Sequence, residues 1–487
     1  MNAVADYQQF ARRIGLIGAT NLLIGLSGLI LLPILTKTLP IEEYGTYVQI
    51  TVTISLIPGV VMLGLPYTMV RFLAAAKSRE EVQEGYYSNA GITVLSAALA
   101  SVALFLLAEP IATALFDGRT TVTRILTLVV FLECMNLLQY NYFRTFQQIK
   151  RYSSLLFLKT CLQLISVAAL VLAGYGIFGA VVGLLIANLL LFVVMGILIV
   201  SEIWVVVPKF KHLREYLAFG LPTVPGNISS WVVNSSDRYV IALLLGNAYV
   251  GYYSPGYTLG NTISMFIAPL SFMLPAALSK YYDDGKLNDV KNILSYSMKY
   301  FLALTIPSAV GLSLLSKPLL TILSTPDIAE QGYLITPFLA LAGLLLGLYA
   351  IIMQVLVLEK KTGITGAIWI VAAVLNLGLN IIFIPRIGIV GAAATTLIVY
   401  SLAFIISAYY SFKYLTFDVS AAFILKCIVV STIMGGFIVL WTPQMSGGLV
   451  GIMLLMGISA LIYGAGLLVL RGFKKEEVHF FRGLLRI

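Results

Sequence analysis

Charge is scarce in this sequence. Only 11% of its 487 residues are Asp, Glu, Lys or Arg and 60% are hydrophobic, whereas soluble domains carry about a quarter charged residues. That balance excludes a soluble globular protein and leaves an integral membrane protein. Cysteine is scarcer still: Cys134, Cys161 and Cys427 each sit in an apolar segment without a CxxC partner, so neither a disulfide framework nor a metal cluster is indicated. The two histidines, His212 and His479, fall in basic segments, where a solvated surface is the default. No GxxxxGK[ST] stretch exists, so hydrolysis of a nucleotide by a P-loop is excluded and no cofactor or metal is expected. Long polar loops are missing from the outer side, which argues against an enzyme carrying its catalytic groups there. The formal charge of +10 does not signal nucleic acid, because the basic residues lie in short clusters between apolar runs instead of on one face.

What the chain has in abundance is apolar runs long enough to cross a bilayer, which takes about 20 residues of helix. Inside hydrocarbon every backbone polar group must be satisfied internally, so the fold class is all-α. Fourteen transmembrane helices are predicted, at residues 14–36, 45–68, 88–114, 123–145, 153–174, 177–201, 216–245, 252–279, 297–323, 333–358, 363–385, 389–413, 421–441 and 448–470. The first follows Arg12 and Arg13 and exceeds the roughly 7 to 15 apolar residues of a cleavable signal core, so it reads as an uncleaved span. Of the 31 Lys and Arg, 23 fall in the loops on the N-terminal side and 4 (Lys37, Arg119, Arg124 and Arg386) on the other. The positive-inside bias therefore places both termini in the cytoplasm.

The sequence repeats itself. "LPIEEYGTY" (39–47) returns as "LGNAYVGYY" (245–253) at an offset of 206, aligning Leu39 with Leu245, Gly45 with Gly251 and Tyr47 with Tyr253, and carrying Asn21 onto Asn227. "LPYTMVR" (65–71) returns as "LPAALSK" (274–280), and "GIFGA" (176–180) as "GIVGA" (388–392), in the same order and at nearly the same offset. Six spans separate equivalent points, so both copies face the same way and form a parallel repeat about the membrane normal. Residues 1–205 are expected as an N-terminal lobe, 206–415 as a C-terminal lobe, and 416–487 as a peripheral helix pair with a basic tail. Two such bundles enclose a cleft that rocking exposes to each side in turn. Gly45 and Gly251 are expected to reverse the chain tightly at the outer surface, their flanking tyrosines serving as interfacial anchors or, alternatively, touching sugar.

"SSDRYVIALLLGNAYVGYYSPGY" (235–257), "LSFMLPAALSKYY" (270–282) and "GIVGAAATTLIVYSLAFI" (388–405), together with "LPIEEYGTY", resemble the polysaccharide transporter branch of the multidrug/oligosaccharidyl-lipid/polysaccharide exporter superfamily, which includes the Wzx-type O-antigen flippases. The resemblance spans the chain in helix number, order and turn motifs. It implies two six-helix lobes around a cavity that takes a polyprenyl-diphosphate-linked glycan from the cytoplasmic leaflet to the outer one of a prokaryotic cell membrane. Its partners would be that glycan, membrane lipids, and glycan polymerases or ligases, with the chain itself a monomer. A cation-coupled multidrug exporter is the alternative within the superfamily, and a membrane glycan polymerase or ligase the alternative outside it.

A diphosphate crossing hydrocarbon needs cations. Arg71 and Lys280 occupy equivalent positions of the repeat at the cytoplasmic ends of two helices, where they either bind the headgroup or snorkel to lipid phosphate. Asn21 and Asn227, equivalent to each other, are further cavity candidates. Asp237 and Arg238 lie near the outer leaflet; adjacent helical residues point in different directions, so each is expected to seek a partner on another helix, as an outer gate or in direct substrate contact. Glu133 and Lys159 come to similar depths on two antiparallel helices and are expected within ion-pair reach, as a structural pair or with a cation-coupling or substrate role.

Overall fold

The computed structural model describes residues 25, 27–442, 448–473 and 477 and, among these, is helical with no strand. In chain order the helices are α1 (Ser27–Thr38), α2 (Ile41–Val61), α3 (Leu65–Phe72), α4 (Arg79–Leu106), α5 (Ala108–Leu115), α6 (Thr120–Thr145), α7 (Ile149–Leu170), α8 (Gly176–Ile203), α9 (Leu213–Gly220) and α10 (Val224–Leu245). They continue as α11 (Asn247–Gly260), α12 (Ile267–Asp283), α13 (Leu287–Leu314), α14 (Ser316–Leu323), α15 (Pro326–Gly332), α16 (Ile335–Leu358), α17 (Thr362–Ile387), α18 (Ile389–Tyr414), α19 (Ala421–Trp441) and α20 (Leu449–Val469). Among the described residues, 11 helical stretches are long and apolar enough to cross a membrane, making this a multi-pass membrane protein. One of them, Ile149–Ile203, runs for 55 residues, far more than one crossing needs. Inside it Gly174 and Gly176 have φ of +88° and +55°, a conformation that costs glycine little, and α7 and α8 pack against each other beyond this break.

Local chemistry sets the helix ends. The expected helix at 88–114 begins instead at Arg79, because Ser78 caps it by accepting from the Glu81 N–H at 3.2 Å while the Glu81 carboxylate accepts from the Lys77 N–H at 2.8 Å. The expected helix at 45–68 breaks into α2 and α3, where Leu63 and Gly64 both take positive φ. Pro58 within α2 lacks the N–H that a regular helix would use there.

Packing divides the chain into two compact units, Met1–Ser254 with Trp369–Thr395, and Pro255–Ile368 with Thr396–Ile487. One core of the first unit gathers Leu65 and Met69 of α3, Leu138 and Phe143 of α6, Leu191 and Met195 of α8 and Tyr216 of α9. In the second unit one core joins α12, α13 and α16, and another packs α14 against α19 and α20. There Lys299 of α13 meets Glu477 at 2.7 Å, Tyr300 donates to the same carboxylate, and the rings of Phe423 and Phe473 flank the ammonium at 5.0 and 5.4 Å.

The repeated glycines do something other than the sequence predicts. Gly45 and Gly251 lie inside α2 and α11, not in turns. A Cβ built on Gly45 would sit 1.8 Å from the Asn247 carbonyl oxygen, and one on Gly251 would sit 2.6 Å from the Ile41 carbonyl oxygen. Each repeat thus contributes a glycine that lets its helix touch the other's backbone, the role small residues play where helices pack in membranes. Three of the flanking tyrosines are corrected with them: Tyr44, Tyr47 and Tyr253 are buried and fill the packing, whereas Tyr249 is exposed and Tyr252 half-buried. The third repeated motif does mark turns. Gly176 and Gly388 take φ of +55° and +62°, and Gly179 and Gly391 three residues on leave no room for a Cβ against the preceding helix.

Candidate functional site

Within the first unit a cavity of about 730 Å³ opens beside the α2–α3 break. Its walls are largely apolar, and two exposed guanidinium groups, Arg71 at the end of α3 and Arg144 at the end of α6, line it with Asn141, Tyr67 and Asn227. Neither arginine forms an ion pair among the described residues. Asn141 and Arg144 are three residues apart, which puts them on one face of α6. Asn227 accepts from the Tyr67 hydroxyl at 3.1 Å, and Trp231 donates to Ser55 at 3.0 Å, so two bonds tie α10 to α2 and α3 at the cavity's edge. Cations without carboxylate partners, set in apolar walls, offer an anionic amphiphile what water would otherwise supply.

A second cavity, of about 230 Å³, lies between α1, α2, α6, α7 and α8. Glu133 and Lys159 line it and meet at 2.6 Å, with Asn188, Thr51 and Gln163 around them. Asn136 donates to the Asn188 side chain at 2.9 Å, extending the polar layer across α6 and α8.

Asp237 and Arg238 bind each other. The guanidinium reaches the Asp237 carboxylate at 3.0 Å and the Asn234 carbonyl at 3.0 Å, and it lies 5.8 Å from the ring of Tyr253. Tyr253 in turn donates its hydroxyl to the other carboxylate oxygen. The expectation that the two would not pair is corrected, because the arginine is long enough to fold back along α10, while the expected partner on another helix is present for Asp237 in Tyr253 of α11; both side chains are buried, so a charge left unmatched there would be costly. On the same helix Ser236 donates to Asn376 of α17, which also accepts from Asn380.

Lys280 stands exposed on α12 in the second unit. Asn21 lies outside the described residues. The sequence reading counted Arg144 only as a loop charge and passed over Asn141 and Tyr67; the i, i+3 spacing of Asn141 and Arg144 at a helix end was the signal available.

Residues 34–327 match the family model described as "Polysaccharide biosynthesis protein". The chain is 24% identical over 257 residues to the "Probable low-salt glycan biosynthesis flippase Agl15" of Haloferax volcanii, covering 52% of each. It is 25% identical over 180 residues to the "Probable flippase AglR" of the same organism, covering 37% of each. The chain thus spans about half the length, or less, of these curated relatives. Among solved structures it resembles "Lipid II flippase MurJ, inward closed conformation" with a TM-score of 0.74 and 19% identity, over 96% of this chain and 99% of that one. It also resembles an inward-facing multidrug resistance MATE family transporter of the MOP superfamily, with a TM-score of 0.65 and 15% identity over 81% and 97%. At these identities the likeness to solved structures is one of fold.

Proposed function

The chain belongs to the polysaccharide biosynthesis protein family, and from that premise we propose that it is a flippase carrying a polyprenyl-diphosphate-linked oligosaccharide, of the O-antigen type, across the membrane without covalent chemistry. The observation that carries this reading is the pair of arginines, Arg71 and Arg144, facing a mostly apolar cavity without carboxylate partners among the described residues. A diphosphate flanked by a polyprenyl chain and a glycan has the matching chemistry: two negative charges for the guanidiniums, amide and hydroxyl groups of Asn141, Asn227 and Tyr67 for sugar hydroxyls, and apolar walls for the chain.

The rest of the reading follows from the repeat. Counting α7 and α8 as separate crossings, and adding α1 and the α9–α10 segment, gives fourteen spans with both termini cytoplasmic. Residues 1–205 and 206–415 act as lobes in alternating access, with 416–487 beside them, and the glycan's polymerase or ligase waits on the outer side. The multidrug-exporter alternative gains nothing from the acidic residues, since Glu133 and Asp237 are each already matched by a cation.

The test is reconstitution in proteoliposomes with a fluorescent lipid-linked oligosaccharide. Arg71→Gln with Arg144→Gln should slow outward appearance of label by at least about tenfold, since hydrogen bonds to charged groups contribute roughly 1.5–3 kcal/mol each. Transport at the wild-type rate by a folded double variant would overturn the assignment.

A further inference from the structure

The segment joining α8 to α9 is neither helix nor slack loop. From Trp204 to Val207 it is non-helical and turns its side chains outward: Trp204 is 66% exposed, Val205 69% and Val207 84%. Four apolar residues in a row facing water would be a liability, and the backbone is held in this pose at a cost. Trp204 and Phe210 both take positive φ, 53° and 52°, which side chains other than glycine rarely adopt. The clamp is the first two turns of α4. Arg79 donates to the Glu202 carbonyl at 2.8 Å, Gln83 donates to the Ile203 carbonyl, and the Glu84 carboxylate accepts the backbone N–H of Lys209 at 2.9 Å and of Lys211 at 3.2 Å. The Phe210 ring lies close against α4 at Gly91. Since Glu84 takes the backbone N–H groups, the Lys209 and Lys211 ammonium groups stay exposed, as does Arg214, and neither Lys209 nor Arg214 has an ion-pair partner among the described residues.

We propose that this strap is a docking surface for the membrane itself: Trp204, Val205 and Val207 enter the interfacial layer of the leaflet at the end of α8, while Lys209 and Arg214 bind the phosphates of anionic lipids. Three observations fix the occupant as lipid. The strap starts where the 55-residue apolar stretch ends, at Ile203, so it lies at the depth of the headgroups. Tryptophan is the side chain best suited to that depth, being apolar in body and polar at one edge. Apolar residues followed at once by cations without an ion-pair partner match the layering of an anionic leaflet, hydrocarbon beneath a sheet of phosphates, and not a neutral or basic surface. The carboxylates Glu80, Glu81 and Glu215 belong to the neighbouring cavity, which Lys211 and His212 also line, so Lys209 and Arg214 are the cations offered to the bilayer.

The full chain with Trp231, Trp369 and Trp441 replaced by Phe, reconstituted in liposomes containing brominated phospholipids, reports on Trp204 alone. Bromines near the headgroup should quench it more than bromines near the chain ends, and aqueous iodide should quench little. Stronger quenching by iodide, or none by either agent, would overturn the proposal, the second outcome meaning that protein covers the strap. A measurement on the otherwise unaltered chain stands beside this in case the triple replacement fails to fold. Native mass spectrometry of protein extracted from mixed liposomes should find phosphatidylglycerol retained over phosphatidylcholine, and Lys209→Gln with Arg214→Gln should reduce that preference by roughly fivefold for each cation, the equivalent of about 1 kcal/mol apiece at low salt. Equal retention of both lipids by the unaltered chain, or a preference unchanged in the double variant, would overturn it.

Discussion

The carboxylate of Glu133 and the ammonium of Lys159 are matched charges in a place where neither could stand alone. Both side chains are less than one-fifth exposed and the pair lines a polar cavity within apolar helices. Removing one member leaves the other uncompensated, at a cost of about 3–5 kcal/mol. Glu133→Gln or Lys159→Met alone should therefore lower the thermal unfolding midpoint in detergent substantially, whereas the double variant should recover most of the loss. Two single variants as stable as the parent would mean that water, and not the partner, neutralises each charge. This contact was legible in the sequence, since helix rise per residue is fixed and an antiparallel pair of helices places the two residues at one depth. Asp237 and Arg238 were not legible in the same way. Their pairing depends on Tyr253 arriving from the next helix to complete the carboxylate's bonds, and on the guanidinium's reach, neither of which local periodicity encodes.

At the scale of the helix, the two glycine pairs make contrasting predictions. Gly45→Ala and Gly251→Ala put a methyl group onto a facing backbone and should each cost about 1–3 kcal/mol of stability, the usual range for overpacking. Gly378→Ala, where a Cβ meets nothing within 4 Å, serves as the control, and should be neutral or stabilising by up to about 1 kcal/mol. Gly176→Ala forces an alanine to φ +55° with ψ −146°, a region nearly exclusive to glycine, and Gly388→Ala forces one to φ +62°, each at about 1–3 kcal/mol. Equal losses at this pair, read from unfolding midpoints, would show that the repeated motif meets the same backbone requirement twice. A clear loss at one and none at the other would count against equivalence. The membrane-crossing helices were readable from apolar runs because length and hydropathy alone decide that property. Their ends were less so: α4 starts well before its apolar run, since Ser78 and Glu81 cap a polar first turn that hydropathy ignores. The work of Gly45 and Gly251 was hidden for a different reason, because a close approach belongs to two segments at once and glycine in isolation looks the same in a turn as at a contact.

For the molecule as a whole, the repeat places Arg71 and Lys280 at equivalent points of the sequence, each in its own unit, and the proposal that each lends a cation to the transported diphosphate has its own test. Replacing both by Gln should depress transport of a diphosphate-linked glycan in proteoliposomes more than either change alone, because a cation–phosphate attraction of about 1 kcal/mol in bulk water grows several-fold in a partly desolvated cleft. A double variant that inserts normally and transports at the parental rate would return both residues to the role of anchors for lipid phosphate. The seat of Lys299 carries a consequence of another kind, one of timing. Its carboxylate partner, Glu477, follows it by 178 residues in the chain, so during synthesis α13 enters the membrane long before its counter-charge has been made. Ribosomes add roughly 5–20 residues per second, which leaves this lysine without Glu477 for on the order of ten seconds or more while α14 to α20 are being inserted. The segment carrying Glu477 thus completes a contact begun much earlier, and until it has been made the Lys299 ammonium lacks that carboxylate beside Phe423 and Phe473.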